Sequence, residues 1–225
     1  IHAASINPVD FKIRDGNVKL LIPYQFPLIL GNDFSGVVTE IGSAVTKFQI
    51  GDAVYGRAEK NRIGTFAEYI AIDEQMLALK PATLSFEEAA SIPLVGLTSY
   101  QALHDVLQLT PGQKVLIHAG AGGVGTFAIQ LAKAMRLYVA TTASPAGHEL
   151  VQSLGADKII NYRTEAFEDL LHDYDGVYDT IGGETLRRSF KVVRPGGHIV
   201  SVSGLPNGRF GKSYRSGFLK TSLFR

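Results

Sequence analysis

Gly120, Gly122, Gly123 and Gly125 crowd one short stretch of the chain, directly behind the branched apolar run Val115, Leu116 and Ile117. Residues without a Cβ permit a tight turn and let a ligand approach the backbone closely. Beyond them Phe127, Leu131 and Met135 recur four apart, with Ala128 and Ala132 beside them. The pattern therefore switches from strand-like to helical across the glycines, as a βα unit does. A helix beginning near Gly123 would aim its free N–H groups and the positive end of its dipole at a pyrophosphate. A glycine-rich turn alone also suits an ordinary loop, so the surrounding elements decide which reading holds.

From Lys114 onward, strand-like runs recur at the spacing of βα units: Val115–Ala119, Leu137–Ala143, Lys158–Tyr162, Gly176–Ile181 and His198–Ser203. Helical stretches lie between them, among them His148–Leu154, Glu165–His172 and Glu184–Val193. This alternation predicts a parallel sheet covered on both faces, and the glycine turn follows the first strand of the series, where a dinucleotide fingerprint belongs. Residues 1–80 read differently, as short β-like runs at Phe34–Ile41, Asp52–Gly56 and Phe66–Ile72 broken by turns, which predicts a compact barrel-like β domain. Between the two, Ser85 stands three residues before Glu88 in a capping-box arrangement, and Thr98–Leu107 continues helically, so the joint is placed there.

Composition removes several function classes. The 225 residues contain 22 basic and 21 acidic side chains, a formal charge of +1, which gives no electrostatic case for nucleic acid or an anionic membrane. No apolar run approaches a membrane span, and the default compartment is the cytoplasm. There are no cysteines. Disulfides, thiolate zinc sites and a cysteine nucleophile are thereby excluded.

The second strand of the C-terminal series, which in a dinucleotide fold ends at the adenosine ribose, runs out at Ser144 with no acid before Glu149. A neutral hydroxyl does not repel a 2′-phosphate, which favours the phosphorylated cofactor, NADP(H). Ser144 also suits a plain turn with Pro145. His148 would add charge toward a phosphate, or simply be solvated at a helix start.

An ordered set of segments now carries a resemblance: AASINPVDFKIRDG (3–16), GNDFSGVVTEIG (31–42), GDAVYG (51–56), GTFAEY (64–69), GLTSYQAL (96–103), AGAGGVGTFAIQLAK (119–133), SLGAD (153–157) and VVRPGGHIVSVSG (192–204). Together they resemble the medium-chain dehydrogenase/reductase superfamily, in its zinc-independent quinone oxidoreductase and enone (alkenal) reductase branch. The resemblance implies an α/β fold: a GroES-like β-barrel catalytic domain over residues 1–90 and a Rossmann-type parallel-sheet NADP(H)-binding domain over residues 91–225. It also implies strands preceding Ile1, further segments after Arg225, and possible homodimers.

Zinc-dependent relatives carry a cysteine ligand where this chain has Asn7 and a His-Glu pair where it has Asn32-Asp33, so the resemblance implies no metal. Hydride addition to a quinone, or to the β-carbon of an enone, needs only hydrogen bonds to the developing negative charge. The implied catalytic residues are Asn7 and Asp10, with Phe11 and Lys12 at the edge. Asn7 is expected to hydrogen-bond the acceptor, or to serve as an Asn-Pro turn former. Asp10 is expected to order local backbone or Arg14. On the cofactor side the resemblance implies Thr98 near the nicotinamide or its phosphates, Gly122, Gly123 and Val124 at the pyrophosphate beside Gly120 of the same turn, Ser144 at the adenosine ribose and Tyr162 at the 2′-phosphate, which Ser144 and His148 would help to hold. Ile181, Gly182, Ser203 and Gly204 would close on the nicotinamide. Tyr162 equally suits an amphipathic strand end.

Two departures stand out. NADPH-binding relatives often have Lys or Arg where this chain has Gly147, and quinone reductases often have Tyr where it has Lys12. The implied function is NADPH-dependent reduction of a small-molecule quinone or unsaturated carbonyl. The alternatives are a zinc-free enoyl-thioester reductase and a non-catalytic NADPH-binding sensor or structural protein.

Overall fold

The computed structural model describes residues 1–17 and 24–203. The chain divides into two compact units, Ile1–Leu94 and Val95–Arg225. The division falls inside the first turn of a helix, where the sequence places it after residue 90. Among the described residues no helix is long and apolar enough to cross a membrane.

The N-terminal unit is built on a four-stranded antiparallel sheet in the order β1 (Ala3–Ser5), β2 (Asp33–Val37), β3 (Ala53–Arg57) and β4 (Leu77–Leu79). Helix α1 (Pro8–Arg14) follows β1 directly. Its proline opens the helix, where a missing N–H costs nothing. Helix α2 (Phe86–Ala90) starts on the capping box expected from the sequence: Glu88 N–H donates to Ser85 Oγ (3.1 Å), and Ser85 N–H donates to the Glu88 carboxylate (2.8 Å). The strand expected over Phe66–Ile72 does not form. Its residues alternate only between exposed and half-buried, and its backbone makes isolated bonds, Phe66 N–H to Leu30 O and Glu68 O to the Ile1 amino group, with no ladder. Alternation marked an extended segment there, and a strand needs a partner as well.

The C-terminal unit is a parallel five-stranded sheet in the order β7-β6-β5-β8-β9, with β5 (Lys114–Ile117), β6 (Tyr138–Ala143), β7 (Lys158–Asn161), β8 (Tyr174–Asp179) and β9 (Val193–Ser201). One core joins Val115, Ile117 and Val139 to α4 (Gly123–Ala134) and to α5 (His148–Ser153) through Ala128, Ile129 and Val151. The other joins Leu116, Val177 and Ile199 to α6 (Phe167–Leu170) and α7 (Gly183–Ser189) through Phe167 and Leu186. Consecutive residues of β5 thus feed opposite faces, which is why the strand is apolar throughout. Each fully buried Val, Leu or Ile contributes about 1.5–3 kcal/mol. The helical stretch expected over Glu165–His172 contracts to α6. The one expected over Thr98–Leu107 is the end of α3 (Pro93–Tyr100) running into a π-helical turn, Gln101–Val106.

Candidate functional site

Because all five strands of the C-terminal sheet are parallel, every β-to-α turn opens on one edge. Chain order reverses between β5 and β8, which is where such sheets bind ligands. The glycine turn after β5, Ser144 after β6, Tyr162 after β7, Ile181-Gly182 after β8 and Ser203 after β9 therefore share that edge. Thr98 is half-buried on α3. Gly204 lies outside the described residues.

The four glycines do two different jobs. A Cβ on Gly125 would strike the Ala119 carbonyl oxygen and come within 2.7 Å of Gly120 Cα, and one on Gly120 would strike Thr141 Oγ1. These two glycines let α4 pack against β5 and β6. Gly122 and Gly123 are exposed, and a Cβ on Gly123 would meet nothing nearer than Val95 Cγ1 at 4.0 Å. They stand at the head of α4, where the first N–H groups have no acceptor within the helix. Val124 is half-buried just behind them. A bare, donor-rich helix N-terminus beside open space fits a pyrophosphate.

Beyond β6, Ser144 begins a 3₁₀ turn, accepting Gly147 N–H on its carbonyl at 2.9 Å. A Cβ on Gly147 would approach Ala121 Cβ to 2.7 Å. A longer side chain at this position would crowd the glycine turn in this backbone conformation. His148 heads α5 with its Nε2 buried and without a hydrogen-bond partner, and Tyr162 is 56% exposed.

Two buried groups on this sheet escaped the sequence reading. His118, in the turn after β5, lies between Thr142 Oγ1 (3.3 Å) and Ser189 Oγ (2.9 Å), and burial pushes its imidazole down to about 4, so it is neutral at pH 7. Asp179 ends β8 and accepts from the Gly182 and Ile181 N–H groups and from Ser201 Oγ. The signal available was an acid closing the Val177-Tyr178 run three residues ahead of the Gly182-Gly183 pair.

In the N-terminal unit, Asn7, Asp10, Asn32 and Asp33 are all buried and interlocked. Asn7 and Asp10 stand in the reciprocal arrangement of a capping box, whose short arm runs from Asn7 N–H to Asp10 Oδ2 at 2.7 Å. Asp10 Oδ1 accepts from Asn32 Nδ2 at 2.7 Å. Asn7 Nδ2 donates to Asp33 Oδ2 (3.0 Å) and to Ser5 Oγ (3.1 Å), and Ser5 Oγ donates to the same Asp33 oxygen (3.0 Å). Both N–H bonds of the Asn7 carboxamide are therefore given to protein oxygens. That differs from the donor to an acceptor expected of Asn7, because β2 brings Asp33 beside it. Asp10 orders backbone as expected. It does not order Arg14, which pairs with its neighbour Asp15 at 2.8 Å. Lys12 is exposed on α1.

Asp33 carries the electrostatic consequence of this packing. Burial pushes its carboxyl up to about 6, against the pull of the Ser5 and Asn7 hydrogen bonds, the Leu94 backbone N–H and the Arg57 guanidinium. Its Oδ1 is buried without a hydrogen-bond partner, so a proton can be held there while both bonds at Oδ2 persist.

Comparison with known proteins accounts for both units. Residues 1–82 match the family described as alcohol dehydrogenase GroES-like domain, and residues 123–219 the one described as zinc-binding dehydrogenase. The solved structure of the quinone oxidoreductase from Coxiella burnetii is 40% identical, with a TM-score of 0.85 covering 100% of this chain and 73% of that one. The chain belongs to the medium-chain dehydrogenase/reductase superfamily. Among curated members, the 2-methylene-furan-3-one reductase of Solanum lycopersicum is 43% identical over 213 residues, 91% of this chain and 54% of that protein. The NADPH-dependent alkenal/one oxidoreductase, chloroplastic, of Arabidopsis thaliana is 41% identical over 212 residues, 90% and 53%. The chain thus spans about half the length of these curated relatives.

Membership raises the question of zinc, and the side chains answer against a fit. Where ligands would stand, this superfamily member has Asn7 and Asn32, whose amide nitrogens donate to carboxylates. A carboxamide nitrogen shares its lone pair with the carbonyl, a carboxamide is not among the thiolate, imidazole and carboxylate ligands that zinc takes, and Asp33 alone cannot hold the metal.

Proposed function

We propose that the protein is a zinc-independent, NADPH-dependent oxidoreductase that transfers hydride to a quinone or an α,β-unsaturated carbonyl. The observation that carries this reading is the carboxamide–carboxylate network of Asn7, Asp10, Asn32 and Asp33 at the positions of a metal site. An alcohol substrate needs a Lewis acid for its alkoxide, whereas a conjugated acceptor spreads the developing charge itself and needs only hydrogen bonds.

On the cofactor side the reading assigns the pyrophosphate to Gly122, Gly123 and the head of α4, with Gly120, Gly125 and Val124 keeping that turn in place. Ser144 takes the adenosine ribose, and His148 and Tyr162 the 2′-phosphate. Thr98, Ile181, Gly182 and Ser203 take the nicotinamide end. Bound there, NADPH supplies the hydride. On the acceptor side Asn7 and Asp10 act by ordering the start of α1, and the exposed Lys12 ammonium is the donor offered to the charge developing on the acceptor's oxygen. The reductase names of the tomato and Arabidopsis relatives support the same reaction class, and the second supports the cofactor.

Titration of the full-length protein with NADPH and NADH, followed by NADPH consumption with a quinone and an enone, tests the reading. NADPH is expected to bind more tightly, and Ser144→Asp to erode that preference by about ten- to a hundredfold, the effect of roughly 1.4–2.7 kcal/mol. Equal binding of the two cofactors would sink the assignment to NADPH. Tight NADPH binding with no turnover of any acceptor, enoyl thioesters included, would make the protein a sensor.

A further inference from the structure

One buried carboxylate holds together the ends of two adjacent strands on the ligand-facing edge. Asp179 is fully buried at the end of β8. Its Oδ1 accepts from Ile181 N–H (3.2 Å) and Gly182 N–H (3.0 Å), and its Oδ2 from Gly182 N–H (3.0 Å) and Ser201 Oγ (2.6 Å). Its carbonyl oxygen accepts from Val202 N–H (3.1 Å). Ser203 is drawn into the same knot, donating N–H to Ser201 Oγ (3.2 Å) and Oγ–H to the Thr180 carbonyl (2.7 Å). Burying a charge is expensive, and merely ending a strand does not require one. What the charge secures is a turn that would otherwise relax. Gly182 and Gly183 are consecutive left-handed glycines, with φ of 81° and 56°. Such residues lose the most freedom when held to one conformation. With its own N–H tied inward, Ile181 leaves its side chain 49% exposed.

We propose that Asp179 is the positioning residue for the nicotinamide end of the dinucleotide, holding Ile181, Gly182 and Ser203 in one shape before the ring arrives. This rests on the NADPH reading above. Asn at position 179 would turn an N–H toward the Gly182 N–H, and the turn would open. The adenosine end, at Ser144, His148 and Tyr162, hangs from β6 and β7 and shares none of these bonds.

The test uses full-length wild type, Asp179→Asn and Ser201→Ala, with emission of bound NADPH, the dissociation constants of NADPH and NADH, and kcat with an enone. Asp179→Asn is expected to return the emission of bound nicotinamide toward that of free NADPH and to lower kcat at least about tenfold, the scale of a small misplacement of reacting groups. The NADPH-to-NADH ratio should stay unchanged. Ser201→Ala, which removes one donor, should move emission and kcat in the same direction by less, and it decides the matter if Asp179→Asn does not fold. Unchanged emission and kcat in the folded variants would overturn the inference, as would a uniform loss proportional to unfolded protein. Failure of the wild type to bind either dinucleotide would overturn the NADPH reading and this inference with it.

Discussion

The two regions to which the proposed function assigns chemistry are built from opposite materials. Around Asn7 and Asp33 the structure is made by side chains, and both carboxamide hydrogens of Asn7 are given to protein oxygens. Around Gly120–Gly125 it is made by backbone: the Gly122 N–H closes the turn on the Ala119 carbonyl (2.9 Å), and the head of α4 behind it has no acceptor within the helix for its first N–H groups. The first region depends on matched donors and acceptors, and Asp33 Oδ1 is the buried acceptor there that has no partner. The second tolerates chemistry but, at two positions, not one additional carbon. Side-chain networks respond to pH, and packed backbone does not.

The sharpest way to break this contrast is Gly125→Ala. The new methyl meets backbone atoms of residues 119 and 120, which cannot swing aside, so a loss of at least about 3 kcal/mol and of dinucleotide binding is expected by thermal unfolding and cofactor titration. Gly123→Ala is its control. It enters open space at the first turn of α4, so stability should hold or rise by up to about 1 kcal/mol while dinucleotide affinity falls. A severe loss of stability there would show that the two kinds of glycine are not distinct.

A smaller effect is expected from Asn7→Ala. It removes two amide hydrogens at once and leaves Asp33 Oδ2 with the Ser5 hydroxyl alone, which should cost about 1–3 kcal/mol in chemical denaturation. Cofactor affinity should be unchanged, because no Asn7 bond reaches the C-terminal sheet.

The smallest effect is the pH dependence of Asp33. Its folded-state value of about 6 lies above its ordinary carboxylate value of 3.8. Between those values the folded state holds more protons than the unfolded one, so this group makes stability fall as pH rises from about 4 to about 6, with the full cost present above pH 6. Asp33→Asn can keep both bonds by placing its carbonyl oxygen where Oδ2 stood and its NH₂ where Oδ1 has no partner. It should flatten that slope in unfolding curves taken across the range. An unaltered slope would assign the pH dependence elsewhere.

Legibility divided along the same line. The βα alternation, the glycine turn and the Ser85–Glu88 cap were readable because periodicity and capping are local, fixed by residues within a few positions of one another. Phe66–Ile72 misled because its alternation was real and its missing partner strand was not visible from within the segment. That Asn7 is a donor already engaged was not readable, since Asp33 lies 26 residues on. Asp179 was invisible for a similar reason: one of its donors sits on the following strand, 22 residues away.

By itself, the sequence determined the superfamily, the parallel-sheet half, the turn that fits a pyrophosphate and the unsuitability of Asn7 and Asn32 as zinc ligands. These follow from residue types and short spacings. Only the tertiary structure decided which glycines pack and which face open space, where the hydrogens of Asn7 are directed and which buried acid carries a raised proton affinity. Those properties depend on atoms brought together from distant positions and on the water excluded around them, and no local pattern encodes either.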